Sequence, residues 1–382
     1  MKGNFLIATL GLLAMPSVFA EAPFRALFPI EVGSQPRGVV VADFDGDGVA
    51  DFASLDSVTK EIVVQRGNGM GGVLSTRRLG PFDHSVDAIV SGDLNGDGKI
   101  DLVVGTFANA GDDAVYPLIG RGDGTFVQGD RYPVGDGVTA LTLFDADGDG
   151  WLDLAVANAN SFNVMVLPGL GNGRFGTRTD YDVDGVAQAI AAADIDNDGI
   201  PDLVVSAFGN TLTTFCTLKG RGDGTFDSPV PHQYFAGITG EIAVADFDRD
   251  GNMDVAVAQS DHHISLFAGH GDGDFDEPTF IDTPIDFTAG ITVADVDADG
   301  RPDLIVGLSG ELAYYAGNGD GTFRAAGSFH GPNVGFDGPI APAHMSVADI
   351  DNDGRLDIVA PDLGSFYLYV FLGDTLLSTS FE

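Results

Sequence analysis

Asp43-Phe44-Asp45-Gly46-Asp47-Gly48-Val49-Ala50-Asp51 opens a series of seven acidic stretches with the pattern D-x-D-x-D-G-x-x-D. The later copies begin at Asp93, Asp145, Asp194, Asp246, Asp295 and Asp349, at intervals of 50, 52, 49, 52, 49 and 54 residues. A motif that returns seven times at a nearly constant spacing makes the repeat itself the unit of the fold. Around each copy the sequence reads alike. An apolar run such as Val39-Val40-Val41-Ala42 or Ile242-Ala243-Val244-Ala245 leads in, and a second such as Leu102-Val103-Val104 or Leu304-Ile305-Val306 leads out. A third run follows, for example Val164-Met165-Val166-Leu167 or Ile264-Ser265-Leu266-Phe267, then a Gly-rich turn and a more polar fourth segment. The runs are short, rich in β-branched residues and bounded by Gly, Asp or Asn, so they predict strands, and no stretch sustains a helical period.

Four strands in a repeat of this length make one blade of a propeller. The fold class expected is all-β, a seven-bladed β-propeller of four-stranded blades. The ends support a closed ring. Phe24 to Gly33 resembles a fourth strand standing before the first loop, while the last unit stops at Phe371-Leu372-Gly373, after its third strand. The N-terminal strand is therefore expected to complete the seventh blade, which leaves no free sheet edge at the seam. A linear solenoid, the alternative, has no need of a split blade.

Composition agrees. The 382 residues carry 57 acids against 18 bases, a formal charge of −39, with 44% apolar residues and 54 glycines. Such a charge repels nucleic acid and anionic membranes and favours cations. Lys2, the apolar stretch Phe5 to Met15 and the small-x-small ending Ser17-Val18-Phe19-Ala20 read as a secretory signal. The expectation is residues 1–20 as signal peptide, cleavage after Ala20, and residues 21–382 as one propeller domain that is secreted, periplasmic or displayed at the cell surface. No later segment is apolar for long enough to span a membrane. Cys216 is the only cysteine, so no intramolecular disulfide forms, and its apolar surroundings predict a buried thiol. Bound metal is the obvious substitute staple.

The acidic loop has the chemistry for that. Positions 1, 3 and 5 supply side-chain oxygens: Asp43, Asp45 and Asp47; Asp93, Asn95 and Asp97; Asp145, Asp147 and Asp149; Asp194, Asp196 and Asp198; Asp246, Asp248 and Asp250; Asp295, Asp297 and Asp299; Asp349, Asp351 and Asp353. Position 6 is Gly in every copy, where the chain turns sharply. Position 7 offers a backbone carbonyl, from Val49, Lys99, Trp151, Ile200, Asn252, Arg301 and Arg355. Position 9 closes the cage with Asp51, Asp101, Asp153, Asp202, Asp254, Asp303 and Asp357. A cage made only of oxygens suits calcium, up to seven ions in the ring, ahead of zinc or magnesium, with sodium and manganese as lesser alternatives. An EF-hand is excluded. It needs a bidentate Glu at position 12 between helices, and position 12 here is Ser54, Val104, Val156, Val205, Val257, Val306 or Ala360, inside the next strand. Solvated Asp-Gly turns without metal are the bland reading, but these loops crowd 27 of the 57 acids, which repel one another unless a cation lies among them.

Together with the turns Gly120-Arg121-Gly122-Asp123-Gly124-Thr125-Phe126, Gly220 to Phe226, Gly269 to Phe275 and Gly317 to Phe323, and weaker versions at Gly67 to Val73 and Gly169 to Phe175, the loops resemble the FG-GAP/VCBS repeat family. The resemblance covers essentially the whole chain after residue 20. It implies a propeller like the integrin α-subunit head with calcium in hairpin loops on one face, and a metal loop in every blade is similar to the bacterial branch. It does not imply one function, because the fold hosts adhesion, ligand binding and occasional lyase chemistry.

Other motifs carry less. Arg121-Gly122-Asp123 and Arg221-Gly222-Asp223 spell an adhesion tripeptide, but both fall at one point of the repeat's turn. Asp261-His262-His263, with His84, His232, His270, His330 and His344, shows no zinc-protease spacing, and no nucleophile elbow is present. Trp151 is expected to pack over a neighbouring loop, with sugar stacking as the alternative. The connection Ser328 to Ala343 is longer than its counterparts and is a candidate binding face. The function expected is a non-catalytic binding, adhesion or structural module, monomeric, with an unidentified protein or glycan ligand. A polysaccharide lyase and a calcium-dependent lectin are the alternatives, and the scarcity of clustered Lys and Arg beyond Arg77-Arg78 speaks against the lyase.

Overall fold

The computed structural model describes residues 24–27, 29–108, 111–208, 213–233, 239–259, 263–283, 288–308, 311–329, 344–362 and 366–373. The proposed signal segment, His262, His330, most of the Ser328–Ala343 connection and the C-terminal Ser378–Glu382 lie outside them. Among the described residues every regular element is a strand, and no helix is long and apolar enough to cross a membrane.

The strands form seven separate antiparallel sheets, arranged as the blades of a seven-bladed β-propeller. Blade 3 is representative. Val138–Phe144, Asp153–Asn158, Asn163–Leu167 and Thr179–Asp182 pair in sequence order, with the acidic loop joining the first strand to the second. The first strands of blades 1 to 6 touch in succession and that of blade 7 touches that of blade 1, which places them around the axis.

The second and third strands are buried along nearly their whole length, because each blade is covered on both faces by its neighbours. Alternation sorts their side chains. Leu102 and Val104 join the apolar layer shared with blade 1, while Val103 between them joins the layer shared with blade 3. The core is thus seven such layers, one per blade junction, the last of which joins Val359, Leu368 and Val370 of blade 7 to Phe52 and Val63 of blade 1. The uniformly apolar runs in the sequence follow from this two-sided burial.

Blade 7 closes the ring as the sequence predicts. Its outer edge is supplied by Phe24–Ala26 and Ile30–Glu31, which pair with Tyr367–Gly373 in the register Phe24 to Gly373, Ala26 to Phe371 and Ile30 to Leu368. Ile30 and Val32 are buried in the layer between blades 7 and 1. Strands from the two ends of the chain therefore complete one sheet.

Candidate metal centres

Each acidic loop is a tight coil held by its own carboxylates. In all seven, the position 1 carboxylate accepts the position 6 N–H at 2.8–3.0 Å and the position 5 N–H at 3.0–3.3 Å. The position 5 carboxylate accepts the position 7 N–H, as from Trp151 to Asp149 at 2.8 Å. Position 6 is left-handed, with φ of 80° at Gly48 and 86° at Gly354, which explains its invariant Gly. Position 4 is left-handed as well. Three loops have Gly there, but Asn197, Arg249, Ala298 and Asn352 adopt φ between 57° and 63° in the others. That requirement is invisible in the sequence, since Arg and Ala carry no preference for it.

Position 9 behaves differently. Its seven Asp residues are 0–4% exposed, and each clasps two strands. One oxygen accepts the N–H of position 2 at 2.7–3.0 Å. The other accepts, at 2.6–2.9 Å, the N–H of the Gly at the end of the third strand or two residues past it: Gly67, Gly120, Gly169, Gly220, Gly269, Gly317 or Gly373. These glycines have a steric reason too. A Cβ on Gly120 would lie 2.2 Å from the carbonyl oxygen of Ile100, and the same approach to position 8 recurs in every blade. Burial, before all else, raises the pKa of each clasp carboxyl, with the loop's other carboxylates adding to it. Asp254, Asp303 and Asp357 are pushed up to about 6.

The loop oxygens converge. In loops 1, 3 and 4, positions 1, 3 and 9 each bring an oxygen within 4.8 Å of the others, and in loops 5 and 6 positions 1, 3 and 5 do so. The donors are all oxygen, the set a hard cation prefers. Loop 7 gives the sharpest test of fit. Asp351 Oδ1, at position 3, is buried without a hydrogen-bond partner, and its burial and the neighbouring Asp353 and Asp349 raise its pKa. A buried carboxylate oxygen with no donor is costly unless a cation meets it. The residues fit a bound metal.

The next blade covers the rim of loops 1, 2 and 5. Gly124 donates to Phe44 O at 3.0 Å, Gly173 to Leu94 O at 3.2 Å and Gly321 to Phe247 O at 3.2 Å. Each of these glycines belongs to the Gly-rich turn of the following blade and lies over position 3 of the loop before it, Gly321 close enough for a Cβ to sit 3.4 Å from Asp248 Cβ. Phe126 and Phe323 at the turn ends stack edge-on against Phe44 and Phe247, with ring centroids 5.7 and 5.4 Å apart.

Other sequence candidates find ordinary places. The Trp151 ring lies against Gly96 of the preceding loop and Gly171 of its own blade, as expected. Cys216 is 1% exposed and burial pushes its thiol up to about 12. The Asp123 carboxylate is tied within its turn by the N–H and hydroxyl of Thr125, and Arg221 pairs with Asp227. His232 is buried, stacked on Phe215 at 4.6 Å, while His263, His270 and His344 pair with Asp282, Asp276 and Glu241.

A propeller with an oxygen-lined loop in each blade defines a class, and the comparisons place the chain within it. FG-GAP-like repeat models match residues 43–104, 93–156, 145–205, 246–306 and 299–360, more than two thirds of the sequence. The chain belongs to the FG-GAP-like repeat family. No curated protein matches it. Among solved structures it is similar to BBS1N in complex with ARL6DN, soaked with lead, at 13% identity and TM-score 0.66 over 93% of this chain and 98% of that one. The mercury-soaked form gives 13% identity and 0.64 over 94% and 99%. An Agrocybe aegerita lectin that recognises non-reducing terminal N-acetylglucosamine gives 15% identity and 0.57 over 87% of each chain. At such identities these likenesses speak to fold alone.

Proposed function

We propose that the chain is an exported, calcium-stabilised propeller, a monomeric and non-catalytic module that presents its loops to a protein or glycan. The observation that carries the metal is the convergence of loop oxygens around a common centre in blade after blade, with Asp351 Oδ1 left to a cation. Positions 1, 3, 5 and 9 and the position 7 carbonyl would hold the ion. Bound calcium supplies positive charge that relieves the crowded carboxylates and so ties the first strand of a blade to its second. Family membership supports calcium, and the segment 1–20 supports export. The binding role draws on the neighbours, one of which is in complex with ARL6DN while another recognises a terminal sugar.

The lectin neighbour favours a second reading, a calcium-dependent lectin on the same ring. A panel of glycans, polysaccharides and candidate surface proteins, with and without calcium and scored for both binding and product, decides among these. Sugar binding lost in chelator supports the lectin, protein binding supports the first reading, and product formation overturns both.

A further inference from the structure

The residue just before the Gly held by each clasp stands beside the acidic loop of its own blade. Around the ring it is Arg66, Ile119, Pro168, Lys219, Ala268, Ala316 and Leu372, so only blades 1 and 4 place a base there. Both reach into the loop. Arg66 Nε lies 2.5 Å from Asp45 Oδ2 and its Nη2 2.6 Å from Asp47 Oδ2. Lys219 Nζ contacts Asp196 Oδ2 and lies 3.0 Å from Asp198 Oδ2. Each therefore bridges positions 3 and 5, two of the oxygens a metal would use. The remaining loop bases do less. Lys99, Arg301 and Arg355, at position 7, each contact Oδ2 of the position 5 carboxylate of their own loop, one carboxylate rather than two.

We propose that Arg66 and Lys219 are tethered counter-ions that make blades 1 and 4 the weak calcium sites of the ring. Resting on the calcium reading above, this separates two loops where a metal must displace a base spanning positions 3 and 5 from five where a base contacts at most position 5. Arg66 and Lys219 hold loops 1 and 4 folded at low calcium, which matters most for blade 1 because it adjoins the seam closed by the N-terminal strand. Blade 4 has room for the displaced group. A cavity of about 230 Å³ opens beside Lys219, bounded on one side by the loop's own Asp196 and Asp202 and on the other by Asp227, Asp272 and Asp274, carboxylates outside the loop that receive the displaced ammonium. Each exposed charge pair contributes a few-fold, so breaking two in one loop lowers calcium affinity about tenfold.

The test is calorimetric titration of the metal-stripped, full-length chain with calcium, for the natural sequence, Arg66→Ala/Lys219→Ala and Ala268→Lys. The natural chain should show two sites about tenfold weaker than they become in the double variant, and Ala268→Lys should weaken one further site. Because Ala268→Lys creates the effect in blade 5, it keeps the proposal falsifiable if the double variant fails to fold. Calcium binding that is unchanged across all three overturns the proposal and leaves the calcium reading intact. An absence of calcium binding in every variant overturns both.

Discussion

The two ends of an acidic loop live in different solvents. Asp153, at position 9 of the third loop, is 2% exposed and holds Ala146 N–H at 2.8 Å and Gly169 N–H at 2.6 Å. Asp149, four residues earlier, is exposed and ties only the N–H of Trp151 at 2.8 Å. The first joins the start of the loop to the end of the third strand, sixteen residues on; the second shapes the loop and faces whatever enters it. One motif therefore combines a fold element with an ion-facing rim, and a carboxylate's place on that gradient decides what its loss does.

Removing the ion should have the largest effect. At free calcium about tenfold above the dissociation constant of the five stronger sites each of these adds about 1.4 kcal/mol and the two weaker ones about 0.4, so the ring gains about 8 kcal/mol. With unfolding entropy scaling with chain length, chelation should lower Tm by about 10–15 °C in scanning calorimetry. An equal Tm with and without chelator would overturn the calcium-stabilised reading.

Single substitutions then separate the two ends. Asp153→Ala orphans two buried N–H groups and should cost about 2–6 kcal/mol in urea unfolding in chelator, and about 1–2 kcal/mol more in calcium because position 9 also holds the ion. Asp149→Ala should cost about 1–2 kcal/mol in calcium and close to nothing in chelator. Equal costs of the two variants in chelator would erase the distinction.

Acidity sharpens it further. Folding raises the carboxyls of Asp254, Asp303 and Asp357 to about 6. A group whose pKa is raised on folding contributes stability at low pH that is lost as pH rises through the folded value. In chelator the chain should therefore lose about 1 kcal/mol per clasp between pH 5 and 7.5, measured by urea unfolding. With calcium present the trend should reverse, because the ion needs the carboxylates ionised. A stripped chain that gains stability over this range would contradict the buried clasp.

The smallest expected effect lies at position 4. Ala298 sits at φ 57°, and Ala298→Gly should relieve the left-handed strain and stabilise by about 0.5 kcal/mol, the loss of Gly entropy on folding offsetting part of the gain. No such gain is open at Gly148, where φ of 73° is already met by Gly.

Much of this was legible in order of residues. The seven acidic stretches gave the blades, Gly at position 6 gave the turn, and Phe24 to Gly33 gave the strand that closes blade 7, because each signal is local. The clasp was not legible, since Asp153 finds its second donor at Gly169, sixteen residues on, only after the third strand has paired. Position 4 was hidden in four loops because Asn197, Arg249, Ala298 and Asn352 adopt the conformation that loop closure imposes rather than one their types announce together. Arg66 and Lys219 are ordinary surface bases until strand register sets them beside Asp45 and Asp196.

By itself, then, the sequence determined the oxygen-rich loops and strands, which rest on residue type and spacing within about ten positions, and the repeat, which rests on their return every 49 to 54 residues. Tertiary structure alone decided which carboxylates are buried as clasps, which blades carry their own cation and where the next blade's turn seals the rim. Those outcomes depend on register across strands and on the approach of neighbouring blades, and burial and charge acquire their magnitudes only once the ring is closed.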